Sequence, residues 1–268
     1  MSAAELAPYL ERELAPVDPE LLEAVTRGPI DRSQALSLGE LDRLLDPTPA
    51  TAETGWCMLA DGVAYVAVRT EMPGVSAEMV DWWFDWHPRE ATRYRVWHPL
   101  AHFDNRLERP RRRGAKAHWG AVHHPVEDLG IGVVHARICF RAPSELGMSS
   151  DALELDGVGT IVCGEVGDDR MHMRHSLMFH VFLRDPLGLV LRSRFWLGAR
   201  IRPYGLLARP GALLLDNRVA RRAAIPAAAP PALARHCLEE YANLAVLLPE
   251  LYERFGPPRS GTPTSGTP

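Results

Sequence analysis

The sequence predicts an α+β domain in which a curved antiparallel sheet wraps a long C-terminal helix. Three observations carry this. Beyond residue 115 the chain runs through a series of β-like segments rich in Val, Ile and Phe. The stretch "PALARHCLEEYANLAVLLPELYERFG" then shows one extended helical pattern. Between the first hairpin signal and the strands lies a short, aromatic-rich helix. Helices gathered on one side of antiparallel strands give an α+β layer, and the space between sheet and helix suits a small molecule.

The elements follow in order. Residues 1–50 read as an N-terminal helical extension. "SAAELAPYLEREL" and "SQALSLGELDRLLD" have helical spacing and are cut by Pro16, Pro19, Pro29 and Pro47, each lacking the backbone donor a helix interior needs. "GWCMLADGVAYVAVRTEM" places two apolar runs around Asp61-Gly62, a hairpin signal. In "PGVSAEMVDWWFDWHP", Ser76 caps a helix and Glu78 suits its positive end. Met79, Trp82, Trp83 and Trp86 recur at i, i+3, i+4 and i+7, an aromatic face expected to pack in the core. Strands are expected at 131–142, 157–166, 171–185 and 187–201, the last two joined through Pro186-Leu187-Gly188. "AAIPAAAPPA" (223–232) reads as a linker, and Pro249 as a kink or break in the final helix. The domain proper is residues 51–256. The tail, 257–268, is too rich in Pro, Gly, Ser and Thr to pack and is expected to be disordered.

Bulk properties exclude several classes. The formal net charge of −4 offers no general attraction for nucleic acid. The basic run "RPRRRGAK" (109–116) reads as a solvated loop. No apolar run reaches the roughly 18–20 residues of a membrane span. The N-terminus lacks the positive-then-apolar pattern of a secretory signal. Cys57, Cys139, Cys163 and Cys237 form no CxxC pair, so a cytoplasmic protein with reduced thiols is expected. A homodimer is the candidate assembly.

Chemistry is suggested first by the C-terminal helix. Its stripe of Leu233, Cys237, Leu244, Leu247 and Leu248 also carries His236 and Glu240, four residues apart and therefore on one face. A carboxylate in an apolar stripe is costly without a cation opposite it, which Lys, Arg or a metal can supply. "RYRVWHPLAHFDN" (93–105) adds His98 and His102 in an apolar setting. "HWGAVHHPVEDLG" (118–130) adds His118, His123, His124, Glu127 and Asp128 before a strand. His180 sits midway in "LMFHVFL", where a lone histidine is more often a satisfied core residue than a catalyst. Two histidines and two carboxylates from separate segments would make a donor set suited to zinc. There is no HExxH, and the residues alone leave the ligand set open.

Two blocks, "GWCMLADGVAYVAVRTEMPGVSAEMVDWWFDWH" and "RYRVWHPLAHFDN", resemble the diacetylphloroglucinol hydrolase family, which includes phloretin hydrolase. The resemblance covers roughly residues 50–255 and is densest from 55 to 105. It implies a helix-grip fold, START-like or Bet v 1-like. It implies a zinc-dependent hydrolase that cleaves the carbon–carbon bond between an acyl group and a polyhydroxylated aromatic ring, releasing a carboxylic acid. The substrate would be a small aromatic ketone, acylphloroglucinol-like or related. The implied Zn2+ ligands are His102, Glu127, His236 and Glu240, with Asp128 a neighbour competing for the role of Glu127. Tyr94 and Asn105 fall at substrate-contacting positions, a spacing that favours His102 over His98. His180 matches a strand histidine implicated in catalysis. Phe195, in "RSRFWLG", stands where the family has a second substrate-contacting tyrosine. Losing that hydroxyl implies a different aromatic ketone from diacetylphloroglucinol itself. The alternative reading is a non-catalytic or cyclase-type START-like protein that binds an aromatic polyketide or lipid.

Overall fold

In a computed structural model, the protein is described over residues 3–48, 51–108, 116–204 and 217–258. One antiparallel sheet has eight strands: β1 (Gly55–Met58), β2 (Ala64–Pro73), β3 (His102–Glu108), β4 (Val122–Asp128), β5 (Val133–Arg141), β6 (Val158–Asp168), β7 (Met173–Asp185) and β8 (Gly188–Pro203). Their order across the sheet is β1-β2-β8-β7-β6-β5-β4-β3. The α-helices are α1 (Ala3–Leu10), α2 (Pro19–Thr26), α3 (Ala77–Trp86), α4 (Ala91–Trp97), α5 (Arg218–Ala224) and α6 (Ala229–Phe255). The mixed α+β class is the one expected. Among the described residues no helix is long and apolar enough to cross a membrane.

Both faces of the sheet are covered. On β7, Met178 and Phe182 point into the core shared with Leu244, Leu247 and Leu248 of α6. Their neighbours Leu177, Phe179, Val181 and Leu183 point to the other face, against Leu36, Leu41 and Leu44. Side chains alternate along a strand, so a strand buried on both faces is apolar at nearly every position. This accounts for the long apolar run in "LMFHVFL".

The expected hairpins form. Around Asp61-Gly62, Leu59 N–H donates to the Val63 carbonyl at 2.8 Å, and Gly62 adopts φ +90°, the left-handed region such a turn demands. β7 and β8 pair from Asp185 opposite Gly188. Ser76 caps α3, its Oγ accepting from Met79 N–H at 3.4 Å. Trp83 and Trp86 of α3 are buried, whereas Met79 and Trp82 are only partly so.

Several elements differ from expectation. "SQALSLGELDRLLD" forms two 3-10 segments, Arg32–Gln34 and Leu38–Leu44, with Glu40 out of helical geometry between turns. An unexpected helix, α2, starts where Asp18 caps and Pro19 takes the first position, a place where proline helps rather than breaks. The segment 223–232 is not a free linker: its ends belong to α5 and α6. Helix α6 continues through Pro249 without a break. "HHPVED" is itself part of strand β4. Most of the basic run 109–116 and the end of the tail, 259–268, lie outside the described residues; Lys116 is described and pairs with Asp81.

Residues 44–47 and Glu53 are tied to the sheet by buried charge. Arg192 and Arg194 of β8 are 3% and 0% exposed. Glu53 accepts from Arg192 Nε at 2.8 Å and from Arg194 Nη2 at 2.6 Å. Arg192 also donates to the carbonyls of Leu44, Asp46 and Pro47. Removing one partner of such a group strands the others without compensation. Glu53→Ala is expected to cost about 3 kcal/mol in urea unfolding. Arg69→Ala, at a half-exposed ion pair 3.9 Å from Glu53, is expected to cost less than about 1 kcal/mol.

Candidate metal centre and cavity

Local geometry brings the site together from three segments. Helix α4 ends in a tight turn, with His102 N–H donating to the His98 carbonyl at 2.8 Å. The chain then enters β3, whose first residue, His102, pairs across the sheet with Glu127 of β4. Helix α6 adds His236 and Glu240, one turn apart. Trp97 Nε1 donates to the Glu240 carbonyl at 2.9 Å, and Asn243 Nδ2 to the Trp97 carbonyl at 2.8 Å. These two bonds lock α4 onto α6.

The four side chains converge. His102 Nε2 lies 3.3 Å from His236 Nε2, 3.6 Å from Glu240 Oε2 and 3.7 Å from Glu127 Oε2. His236 Nε2 is 3.9 Å from both carboxylates. His102 Nδ1 donates to the Tyr94 carbonyl at 3.2 Å. A carbonyl only accepts, so this bond keeps the proton on Nδ1 and turns the Nε2 lone pair to the cluster. The Tyr94 ring stacks on His102 at 4.1 Å with planes 2° apart, and its hydroxyl donates to Glu127 Oε2 at 2.5 Å. Asp128 is engaged elsewhere: its Oδ1 accepts from Gly130 and Gly132 N–H at 2.8 and 3.1 Å, capping the β4–β5 turn.

The electrostatics favour a cation. Burial raises the carboxyl pKa of Glu127. Burial and then the charge of Glu127 raise that of Glu240 well above the usual range. Burial, then His236 and His98, push His102 well below its ordinary value, and burial with His98 lowers His236 to about 4. The imidazoles are therefore neutral and free to bind metal. Among the described residues, the ion-pair partners of Glu127 and Glu240 are these two histidines alone. His102, His236 and Glu240 form a cluster able to hold a metal ion; Glu127 lies outside that trio, its Oε2 3.7 Å from His102 Nε2 and 3.9 Å from His236 Nε2. Tetrahedral coordination at about 2.0–2.2 Å places donors about 3.3–3.6 Å apart, close to the distances seen.

The cluster forms part of the wall of a cavity of about 340 Å³. Glu127, His236 and Glu240 face it, while His102 lies fully buried behind them. Tyr94, Asn105, His180 and Phe195 also line it, so seven of the eight residues that the family resemblance implied face one cavity, with His102 behind them. Asn105 is buried with both amide atoms unpartnered. His180 Nδ1 sits 2.8 Å from Ser193 Oγ, and burial lowers its pKa to about 3. Its ring lies against Phe195 and Tyr241, with centroids at 5.5 and 5.0 Å. His98 stays outside the lining, stacked on His236 at 5.3 Å with Nε2 3.6 Å from Glu239. Sequence reasoning missed His87, Trp97 and Tyr241 on the wall. Tyr241 was the most legible, since it follows Glu240 on the inward stripe.

A cluster of His102, His236 and Glu240 able to hold a metal ion thus sits on a largely apolar cavity that can take a small organic molecule. A family model described as the DAPG hydrolase PhiG domain matches residues 36–253. The chain is 31% identical to phloretin hydrolase of Eubacterium ramulus over 252 residues, covering 91% of this chain and 88% of that one. It is 32% identical over 269 residues to the 2,4-diacetylphloroglucinol hydrolases of a Pseudomonas species and of Pseudomonas protegens. Those alignments cover 94% of this chain and 88% and 85% of the relatives. The chain belongs to the diacetylphloroglucinol hydrolase family.

The raised carboxyls set a pH dependence. Above the ordinary glutamate value of 4.5, the folded protein still holds protons that the unfolded chain has released. Below the ordinary histidine value of 6.5 the buried, neutral His102, His236 and His180 oppose this, because the unfolded chain protonates them; stability of chelated protein is therefore expected to fall with rising pH above 6.5, where the carboxyls alone remain. A cation must displace the same protons, so divalent-metal affinity is expected to rise with pH and to release protons on binding. Calorimetry in buffers of different ionisation enthalpy checks this; a pH-independent affinity without proton release would contradict it.

Proposed function

We propose that this protein hydrolyses the carbon–carbon bond between an acyl group and a polyhydroxylated aromatic ring, using zinc held by His102, Glu127, His236 and Glu240. The observation that supports it most is the convergence of two neutral imidazoles and two largely buried carboxylates on a cavity large enough for an aromatic ketone. The family's named members, hydrolases of phloretin and of 2,4-diacetylphloroglucinol, point to the same chemistry. The sheet and α6 are read as a helix-grip, START-like frame, with residues 51–256 the catalytic unit and 1–50 a wrap around it.

Zinc bound there would supply a Lewis acid for the acyl carbonyl and make water more acidic. Water adds across the scissile bond: its hydroxyl goes to the acyl carbon and its hydrogen to the ring carbon. The remaining steps fall to the chain. Tyr94, whose O–H is given to Glu127, accepts from a ring hydroxyl, and Asn105, with a donor and an acceptor free, holds a ring hydroxyl or the carbonyl. Ser193 orients His180, whose neutral ring takes a proton at Nε2 and passes it to the ring carbon. Glu127 already shares its carboxylate with the Tyr94 hydroxyl, which makes it the most readily released of the four donors. The apolar wall excludes bulk water from the expelled ring. Phe195 beside His180 offers no hydroxyl, so recognition there rests on ring packing.

His236→Ala and Glu240→Ala are each expected to lose bound metal and more than about a hundredfold in activity. Metal analysis and an assay of acid release check this; variants that keep both would contradict the ligand set. Phe195→Tyr is expected to raise kcat/KM for diacetylphloroglucinol relative to other acylphloroglucinols, read by comparing the two substrates. An unchanged ratio would remove Phe195 from specificity.

A further inference from the structure

The metal cluster is braced by a part of the chain that supplies no ligand. Residues 11–18 join α1, which packs on α4, to α2, which packs on α6. This segment is fastened to α6 at two points. Arg12 pairs with Glu250 at 3.1 Å on the surface, a contact worth little because both groups are exposed. Ala15 N–H donates to Asn243 Oδ1 at 3.2 Å, and Asn243 is 4% exposed.

Asn243 faces two ways. Its Nδ2 donates to the Trp97 carbonyl at 2.8 Å. A carbonyl only accepts and a backbone N–H only donates, so the amide has a single orientation between them. Trp97 ends α4, and its carbonyl is one of the last four that a helix leaves without an intrahelical partner. Another of those four, the carbonyl of Tyr94, accepts from His102 Nδ1 at 3.2 Å. One carbonyl therefore orients a ligand, and the other is held by a residue one turn beyond Glu240 on the same helix face. The Trp97 indole completes the brace. Its Nε1 donates to the Glu240 carbonyl at 2.9 Å, and its ring meets His102 edge to face at 5.5 Å. Hydrogen bonds thus run without a break from Ala15 through Asn243 and Trp97 to Glu240.

We propose that Asn243 is a positioning residue for the metal centre, through which residues 12–15 hold His102 and Glu240 at their binding separation. The role rests on the reading that these two residues bind the metal. An amide is the side chain that serves both neighbours. Aspartate keeps the acceptor for Ala15 but sets a carboxylate against the Trp97 carbonyl. Leucine leaves both backbone groups buried without a partner.

Ala15→Pro is the mildest probe in the full chain. It removes one N–H, and residue 15 precedes Pro16, which already favours the extended backbone that proline accepts. Chelator competition is expected to show zinc held about fivefold more weakly in Ala15→Pro and about thirtyfold more weakly in Asn243→Asp. Neither residue lines the cavity, so kcat is expected to fall while KM for a trihydroxyphenyl ketone stays within about twofold. Glu53→Ala is the control for a general loss of stability. Among the described residues Glu53 pairs with Arg69, Arg192 and Arg194 and with nothing on α4 or α6, so zinc affinity there is expected to stay within about twofold. In metal-free protein the Trp97 indole N–H, followed by NMR, is expected to exchange with solvent about tenfold faster in Asn243→Asp than in the wild type. Unchanged zinc affinity in Asn243→Asp, or an equal loss in Glu53→Ala, would overturn the positioning role. If the wild-type protein binds no zinc, the metal reading fails, and the brace is judged on indole exchange: the same rate in Asn243→Asp as in the wild type overturns it.

Discussion

Two largely buried carboxylates are packed against two buried imidazoles, and the rest of the molecule is arranged around that cost. Glu127 and Glu240 cannot both stay ionised in an apolar wall without a positive partner, and the described residues place no arginine or lysine beside them. Elsewhere the protein compensates buried charge with care: Glu53 sits between two buried arginines. The lack of a cationic side chain beside Glu127 and Glu240, among the described residues, is therefore a local feature of the site and not a general looseness in how the chain handles charge.

The fold supplies rigidity where the cluster needs it. A cross-strand pair aligns His102 with Glu127, and one helical turn aligns His236 with Glu240. Trp97 and Asn243 fix these two halves to each other through backbone carbonyls. Tyr94 acts at both ends of the assembly. Its carbonyl sets the His102 tautomer, its ring stacks on that imidazole, and its hydroxyl orients Glu127. Donors held in this way need little reorganisation to receive a metal.

Legibility from sequence followed the range of the interactions. His236 and Glu240 could be paired because i, i+4 spacing on an apolar stripe is a local signal. The strands from β5 to β8 and both hairpins were legible from apolar runs and turn residues. Strands β3 and β4 were not. β3 lies at the sheet edge, and in β4 the pairing with β5 breaks between His123 and Val126, around Pro125, so neither shows clean alternation. The His102–Glu127 contact depends on that register, and only the family resemblance pointed to it. Helix α2 was written in Asp18-Pro19, but the proline was read as an interruption.

The proposed cleavage of an acyl–aryl bond rests on a single metal held by these four residues. Zinc can be titrated into chelator-treated protein while bound metal and carboxylic acid released from a trihydroxyphenyl ketone are followed together. Acid release is expected to rise in proportion to bound zinc and to saturate at one equivalent per chain. Full activity in the metal-free protein, or no acid released at saturating metal, would contradict it.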